Sequence, residues 1–548
     1  MDVYGHFPEN QVPPFDGFNL VSSDASLRSA LAAFAGEHAS VITDSLDELG
    51  TVAGSAEART HWHRANENPP RFRATDRYGN RIDEVEFDPS WHWLMEHGIG
   101  FGLGGTPWFS DDPHAHLRRA AGFYVWGQVE QGHMCPITMT YAAVAALKSD
   151  PALFDTWAPG LGSTSYDFGL RAPSEKQGLL AGMGMTEKQG GSDLRTNTTS
   201  ARDTGDGTRY LLKGHKWFTS APMNDVFLVL ANTDAGSTCF VVPRVLPDGS
   251  RNPFTIVRLK DKLGNRSNAS SELEFHDTLG YRLGADGRGI RTIIDMVSAT
   301  RLDCILGSAA IMRKALNEAL WHSRHREAFG STLADKPAMQ NVLADLAIEA
   351  EAASLVGLRL AATVDRPDDE HEQALRRIGL AMEKYWVCKR TPMMTAEALE
   401  CLGGNGYIEE SGMPLLYRES PVNSVWEGSG NVNALDVLRA IERSPESLAA
   451  WINEVGSVRG EDRRLDAAAE SVLTELADMR NAESKARRIT SRMAAVLQGV
   501  QLVKHSDPLV ADAFCASRLG GDWDGTFGTL PANIDFRAII ERATPVTL

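Results

Sequence analysis

The chain reads as an α+β protein made of consecutive blocks. Two observations predict this. Helical periodicity dominates both ends, and between about residues 178 and 295 it gives way to short β-type runs separated by Gly, Asn, Asp and Pro. A third observation is length: 548 residues are enough for more than one domain with sizeable cores. The expected blocks are an arm and helical domain over 1–177 and a small β barrel or sandwich over 178–295. A four-helix bundle over 296–445 and an appended helical domain over 446–548 follow.

In chain order, residues 1–22 read as an extended arm. Ser22-Ser23-Asp24 offers caps for a helix whose Leu27, Leu31 and Phe34 share one face. Tyr78-Gly79-Asn80 suggests a turn or hairpin, and Asp88-Pro89-Ser90 opens a helix carrying Trp91, Leu94 and Met95. Cys135 to Leu147 is apolar enough for a buried helix. Tyr210–Leu212, Val226–Leu230 and Cys239–Val242 are β runs, and Ser271–Phe275 alternates. Helices are expected near 301–325, 336–365 and 369–403, broken at Asp365-Arg366-Pro367-Asp368, with a fourth after Asn431. From Ser444-Pro445 the pattern is again helical.

The net charge of −17 argues against a general polyanion binder. The six cysteines, Cys135, Cys239, Cys304, Cys388, Cys401 and Cys515, lie far apart. They read as reduced thiols, with no metal site and no disulfide framework. The first residues lack a signal-peptide pattern, and no apolar run has membrane-spanning length, so the expected location is the cytoplasm, with no membrane partner.

Several stretches could carry chemistry. Gly100, Gly102 and Gly105 match Gly-x-Gly-x-x-Gly but lack the strand–turn–helix context that gives the motif meaning. Gly184–Asp193 is rich in backbone N–H and hydroxyl donors, suited to a phosphate or a polar ring edge, and equally to an ordinary hairpin loop. In a regular strand Trp217 and Thr219 would share one side, where an indole packs on a flat ring and a hydroxyl bonds its edge; a core Trp is the commoner situation. Arg326 ends a helix and could pair with phosphate or simply favour the helix dipole. Gly403-Gly404-Asn405-Gly406 suits a helix C-cap. In Pro421–Asn431, Glu427 stands between Trp426 and Gly428-Ser429-Gly430; partial desolvation on a tight turn would raise its pKa toward that of a general base, whereas a solvated glutamate in a capping loop is the plainer reading.

The order of these pieces is more specific than any one of them. Met185-Thr186-Glu187, Gly191-Ser192-Asp193, Lys216-Trp217-Phe218-Thr219, Lys262-Leu263-Gly264, Arg326–Gly330 with Gln340, Gly403–Gly406 and Trp426–Ser429 together resemble the acyl-CoA dehydrogenase flavoproteins over about 120–440. Cys135–Thr140, Met183–Asp193, Leu259–Ser270, Pro421–Asn431 and the C-terminal extension resemble the AidB-type alkylation-response branch.

The resemblance implies an acyl-CoA dehydrogenase fold, FAD as cofactor, and α,β-dehydrogenation of an acyl-CoA-like thioester. It implies that Glu427 is the base and that Met185, Thr186, Gly191 and Ser192 hold the flavin edge and ribityl-pyrophosphate chain. Trp217 would pack beside the ring, with Thr219 or Ser220 near its N5 edge, and Ser429 and Asn431 would complete the cofactor loop. Arg326, Gly403, Gly404 and Gly406 would reach a neighbouring subunit's FAD in a homotetramer of two dimers, and Arg301 would stand near the substrate. The electron acceptor would be an electron-transferring flavoprotein or oxygen. Glu400, Asn431 and Ala434 depart from the common Gln, Gln and Arg, which puts a standard acyl-CoA pocket in doubt more than FAD binding.

The rival reading is a DNA-alkylation response, through DNA binding or inactivation of alkylating agents. Residues 446–548 hold 12 Lys/Arg against 15 Asp/Glu, so any DNA binding is expected to be weak and salt-labile. The local candidate is Lys485, Arg487, Arg488 and Arg492, which otherwise form a solvated face paired with Glu483 and Asp478.

Overall fold

The computed structural model describes residues 9–545, so the arm expected over 1–22 is seen from residue 9. The α+β class holds, and the chain forms two compact units. One contains residues 9–59, 124–129 and 304–545; the other contains 60–123 and 130–303.

In the second unit, β1 (Arg71–Thr75) and β2 (Arg81–Glu86) form the expected hairpin. Asp76 closes its turn by accepting from the amides of Tyr78 and Asn80, and Gly79 takes φ 88°, a left-handed value natural to glycine. Asp88 caps the helix Pro89–Gly100 by accepting from Ser90 N at 2.8 Å, and Pro89 fills the first helical position, where its missing N–H costs nothing.

Seven strands follow: β3 (Ala181–Gly184), β4 (Ser200–Asp203), β5 (Arg209–Ser220), β6 (Val226–Thr233), β7 (Gly236–Pro243), β8 (Phe254–Leu259) and β9 (Ser270–Leu283). β6 pairs β4, β4 pairs β5, β5 pairs β9, β9 pairs β7, and β7 returns to β6. The ring is closed, so the β block is a barrel and not a sandwich; β3 adds to β6 and β8 to β9. The continuous apolar run of β6 is explained by burial on both faces. Phe227 and Val229 join Phe240, Leu273 and Phe275 in one cluster, while Leu228 and Leu230 pack with Ala143, Leu147 and Trp157 in another.

In the first unit, Asp24 caps Ala25–Ala35 by accepting from Leu27 N at 3.1 Å. The bundle helices are Gly289–His325, of which residues 304–325 lie in this unit, Pro337–Ala362, Glu370–Cys401 and Gly430–Arg443. The first begins at residue 289, well before the expected 301. Ile290, Thr292, Ile293 and Ile294 are β-branched and dilute helical propensity there, and burial of Ile293 and Met296 overrides it. Within this unit Gly357 lets helices approach closely: a Cβ there would lie 3.2 Å from Leu306 Cδ2.

The helices after residue 444, Pro445–Gly456, Arg463–Leu476, Ala482–His505, Pro508–Phe514 and Phe536–Ala543, belong to this same unit. Ala482–His505 lies against three bundle helices, Pro337–Ala362, Glu370–Cys401 and Gly430–Arg443. Buried ion pairs reinforce the packing: Arg518 meets Asp345 at 2.5 Å and Glu349 at 2.9 Å, and Arg390 meets Glu349 at 2.7 Å.

All six cysteines are free; five are buried and Cys135 is half-buried. No helix among the described residues is long and apolar enough to cross a membrane, and no group of metal-ligating side chains occurs among them.

Candidate functional site

The second unit collects one set of expected residues. Met185 and Thr186 leave β3, and the loop through Asp193 folds back on β5: Trp217 N donates to Thr186 O at 2.8 Å, and Glu187 and Gly190 exchange main-chain bonds at 3.1 Å. Gly191 touches Thr186 so closely that a Cβ would meet its Oγ1 at 2.7 Å; Ser192 beside it is exposed.

Under this loop lies a charge pair that sequence reading missed. Lys216 Nζ and Glu187 Oε1 are 2.8 Å apart, and both side chains are fully buried. Burial alone would raise the Glu187 pKa. The Lys216 ammonium and hydrogen bonds from Thr198 and Thr199 outweigh that and hold it at about 2.

The expected pairing of Trp217 with Thr219 on one side of a regular strand fails. A bulge shifts the register between Lys216, opposite Leu273, and Thr219, opposite Ser271. Lys216 and Thr219 are therefore both buried although three residues apart, Trp217 is half-buried, and Phe218 is exposed. Lys260 Nζ lies 3.2 Å from the centroid of the Trp217 ring, a close cation–π contact. Thr219 Oγ1 is buried with no hydrogen-bond partner among the described residues. Ser220 Oγ approaches Ser270 Oγ at 3.4 Å. Arg301 is buried.

The first unit holds the other set. Val422–Ser424 is a single 3₁₀ turn, and Gly430–Arg443 starts with Ser429 as N-cap residue, so Val425–Gly428 is a short irregular bridge. Glu427, half-buried, takes φ 57° and Gly428 takes φ 98°. For glutamate the left-handed conformation costs about 1–3 kcal/mol and persists only when surroundings impose it.

Those surroundings are specific. Lys384, 1% exposed on Glu370–Cys401, donates to Trp426 O at 2.6 Å and also to Gly428 O. Asn433 Nδ2 donates to Gly428 O at 2.5 Å and to Ser429 O at 3.2 Å. Trp426 Nε1 donates to Asn423 Oδ1 at 3.0 Å, and Asn423 Nδ2 to Ser308 Oγ at 3.2 Å. Asn431 is exposed and accepts from Arg487 Nε at 2.7 Å. Lys384 and Asn433 were missed as site residues, and Arg487 was considered only for DNA. A lysine amid Leu380, Ala381, Val387 and Cys388 was the available signal for the first.

The basic cluster is largely engaged. Arg488 and Arg492 pair with Glu475 at 2.9 and 2.7 Å, Lys485 bonds Asp478 O at 3.2 Å, and Arg487 holds Asn431. The ion-pair partner of Arg488 and Arg492 is Glu475, while Asp478 bonds Lys485 through its carbonyl and feels its charge.

Arg326 donates to the carbonyl of Asn10, and Asn10 Oδ1 accepts from Glu327 N at 2.8 Å. Gly403 takes φ 59° just past Leu402, the C-cap residue of Glu370–Cys401, the position a helix-ending glycine favours. Gly404 is exposed; at Gly406 a Cβ would fall 2.1 Å from Leu399 O, which bars any side chain. Ala434 is fully buried and Glu400 exposed.

Comparison with known proteins agrees with this architecture. Residues 10–168 match the adaptive response protein AidB N-terminal domain, 182–278 the acyl-CoA dehydrogenase middle domain, and 287–442 the acyl-CoA dehydrogenase C-terminal domain. AidB of Escherichia coli is 44% identical over 512 residues, 93% of this chain and 94% of that protein. Acyl-CoA dehydrogenase family member 11 of Caenorhabditis elegans is 29% identical over 486 residues, 81% of this chain and 77% of that one. The C. elegans ACDH-11 structure, solved in complex with C11-CoA, superposes with a TM-score of 0.85 at 24% identity, covering 98% of this chain and 97% of that chain, and so shares the fold.

Proposed function

Because the chain belongs to the acyl-CoA dehydrogenase family, and within it to the AidB type, we propose that it removes two hydrogens from an acyl thioester with Glu427 as the base. It is an FAD-dependent, acyl-CoA dehydrogenase-like oxidoreductase. The observation that carries the proposal is the loop around Glu427: a half-buried carboxylate held in a left-handed conformation by buried donors on both sides.

The residues expected to hold FAD suit it. Thr219 offers a buried hydroxyl without a hydrogen-bond partner among the described residues, and a buried polar atom of that kind wants one. Gly191 packs on Thr186 with no room for a side chain of its own. Met185, Thr186, Gly191, Ser192, Trp217, Thr219, Ser220, Ser429 and Asn431 are the residues proposed to hold the cofactor. Arg326, Gly403, Gly404 and Gly406 would serve a neighbouring subunit's FAD in a homotetramer. When bound, FAD supplies the hydride acceptor.

The chain's own part is proton handling and placement. Glu427 takes the proton α to the thioester carbonyl at its carboxylate, and a general base of this kind contributes about 10²–10⁴-fold. Arg301 would stand near the substrate. Reoxidation by an electron-transferring flavoprotein is the family-like route. DNA binding ranks lower, because Arg488 and Arg492 already share Glu475.

The test is anaerobic mixing of FAD-loaded protein with straight-chain acyl-CoA thioesters. Bleaching of the flavin band by at least one thioester is expected. A protein that takes up no FAD on titration, or bleaches with none, contradicts the proposal.

A further inference from the structure

The loop carrying Glu427 is gripped from beneath by one buried cation. The Lys384 ammonium donates to Trp426 O and Gly428 O, the carbonyls just before and just after Glu427. These two bonds span the one residue whose backbone is left-handed without being glycine in this loop. We propose that Lys384 is the positioning residue of the base: it pins both peptide units around Glu427, fixes where the carboxylate sits, and keeps a positive charge beneath it. The inference rests on the proposed role of Glu427.

Three features favour positioning over simple packing. First, Lys384 is 1% exposed, so its ammonium has given up water, and the partners it has gained are main-chain carbonyls of the loop. Second, the neighbouring carboxyl is engaged elsewhere. Glu383 accepts from Gln498 Nε2 at 3.1 Å, and burial holds its pKa well above the usual carboxylate range. Third, the loop's far end is held independently, by Asn433 on Gly428 O and Ser429 O and by Arg487 on Asn431. Removing Lys384 therefore frees the base without unfastening the helix that follows.

Tyr385 and Lys389, on the helix of Lys384, approach Gly430, as does Arg487 from Ala482–His505. Asp436, on the loop's own helix, is paired with Arg377 at 2.9 Å. Lys384 is, among the described residues, the side-chain cation bonded to the carbonyls on both sides of Glu427.

The experiment compares FAD-loaded wild type, Lys384→Met and Lys384→Gln. Hydrogen–deuterium exchange is read on the peptide 422–433, with barrel peptides from 226–243 as internal reference. In Lys384→Met the loop peptide should exchange about tenfold faster or more while the reference stays at wild-type rates. Lys384→Gln, which keeps a neutral donor, should fall between, and it serves if the Met variant fails to fold. Wild-type exchange of the loop in the variants overturns the proposal.

Exchange alone would also respond to a merely structural lysine, so bleaching by an accepted acyl-CoA is the second readout. The rate should drop at least tenfold with little change in half-saturating thioester. The pH of half-maximal rate should rise by on the order of one unit, because a nearby cation favours the carboxylate form. A loosened loop with unchanged rate and unchanged pH midpoint also overturns it. Glu427→Gln runs alongside. If that variant bleaches at the wild-type rate, the base assignment falls; if it is dead and the Lys384 variants behave as wild type, only this inference falls.

Discussion

Replacing Glu187 by Gln should destabilise the barrel unit by several kilocalories. The substitution keeps shape but leaves the Lys216 ammonium, fully buried, facing a neutral amide. Breaking one side of a buried pair typically costs about 3–5 kcal/mol. For a folding unit of 150–250 residues each kcal/mol is worth about 2–4 °C in Tm, so a drop of roughly 6 °C or more is expected at pH 7. The pH dependence has a definite sign. Glu187 is held at about 2 in the folded protein, below the ordinary carboxylate value of 4.5. Its stabilisation is complete above 4.5 and is lost as pH falls toward 2. The gap between wild type and Glu187→Gln should therefore narrow on acidification. Adding Lys216→Met to Glu187→Gln should recover most of the loss, since the second change removes the ammonium that the first leaves stranded. Melting followed by circular dichroism from pH 7 to pH 3 is the assay. A Glu187→Gln protein melting within about 1 °C of wild type at pH 7, or a double variant no better than the single, would refute the reasoning.

Glu383→Gln should behave in the opposite sense. The folded carboxyl titrates well above its unfolded value, so wild type loses stability as pH rises past the ordinary carboxylate range, and the variant should gain on it between pH 5 and pH 8 in the same melts. DNA affinity measured over a salt series should show a shallow slope that Arg488→Ala and Arg492→Ala leave nearly unchanged, because both guanidiniums already share Glu475. A steep slope abolished by these changes would reverse the ranking of DNA binding below catalysis. FAD-loaded protein should melt higher and sediment as a larger species than apoprotein, as expected if the cofactor binds the assembled form; identical Tm and size in the two would count against shared cofactor sites.

Local chemistry made much of this structure legible. Asp24 and Asp88 stand at helix starts because a carboxylate one or two residues before an apolar face satisfies free amides, and both caps form. The Tyr78–Asn80 turn and the β runs from Tyr210 to Val242 follow from glycine placement and β-branched content. The order of the cofactor motifs identified the fold before any packing was known. What stayed hidden depends on tertiary pairing. The bulge at Trp217 cannot be read from alternation, since one extra residue reverses the face of everything beyond it. Barrel closure rests on β7 meeting both β6 and β9, which local runs do not encode. Lys384 lies 42 residues from Trp426 and Arg487 lies 56 from Asn431, so the supports of the loop come from separate helices. Nor does the sequence encode that the long helix of the C-terminal extension, Ala482–His505, lies against the bundle within one unit.

The central claim is that Glu427 abstracts the proton in an FAD-dependent oxidation of an acyl thioester. Anaerobic stopped-flow bleaching of FAD in wild type and Glu427→Gln, across a series of acyl-CoA chain lengths, tests it most directly. The account predicts bleaching of wild type by at least one thioester and a rate lower by about 10²–10⁴-fold in Glu427→Gln, with FAD content unchanged. Equal rates in the two proteins, or a wild-type flavin that no thioester reduces, would contradict it.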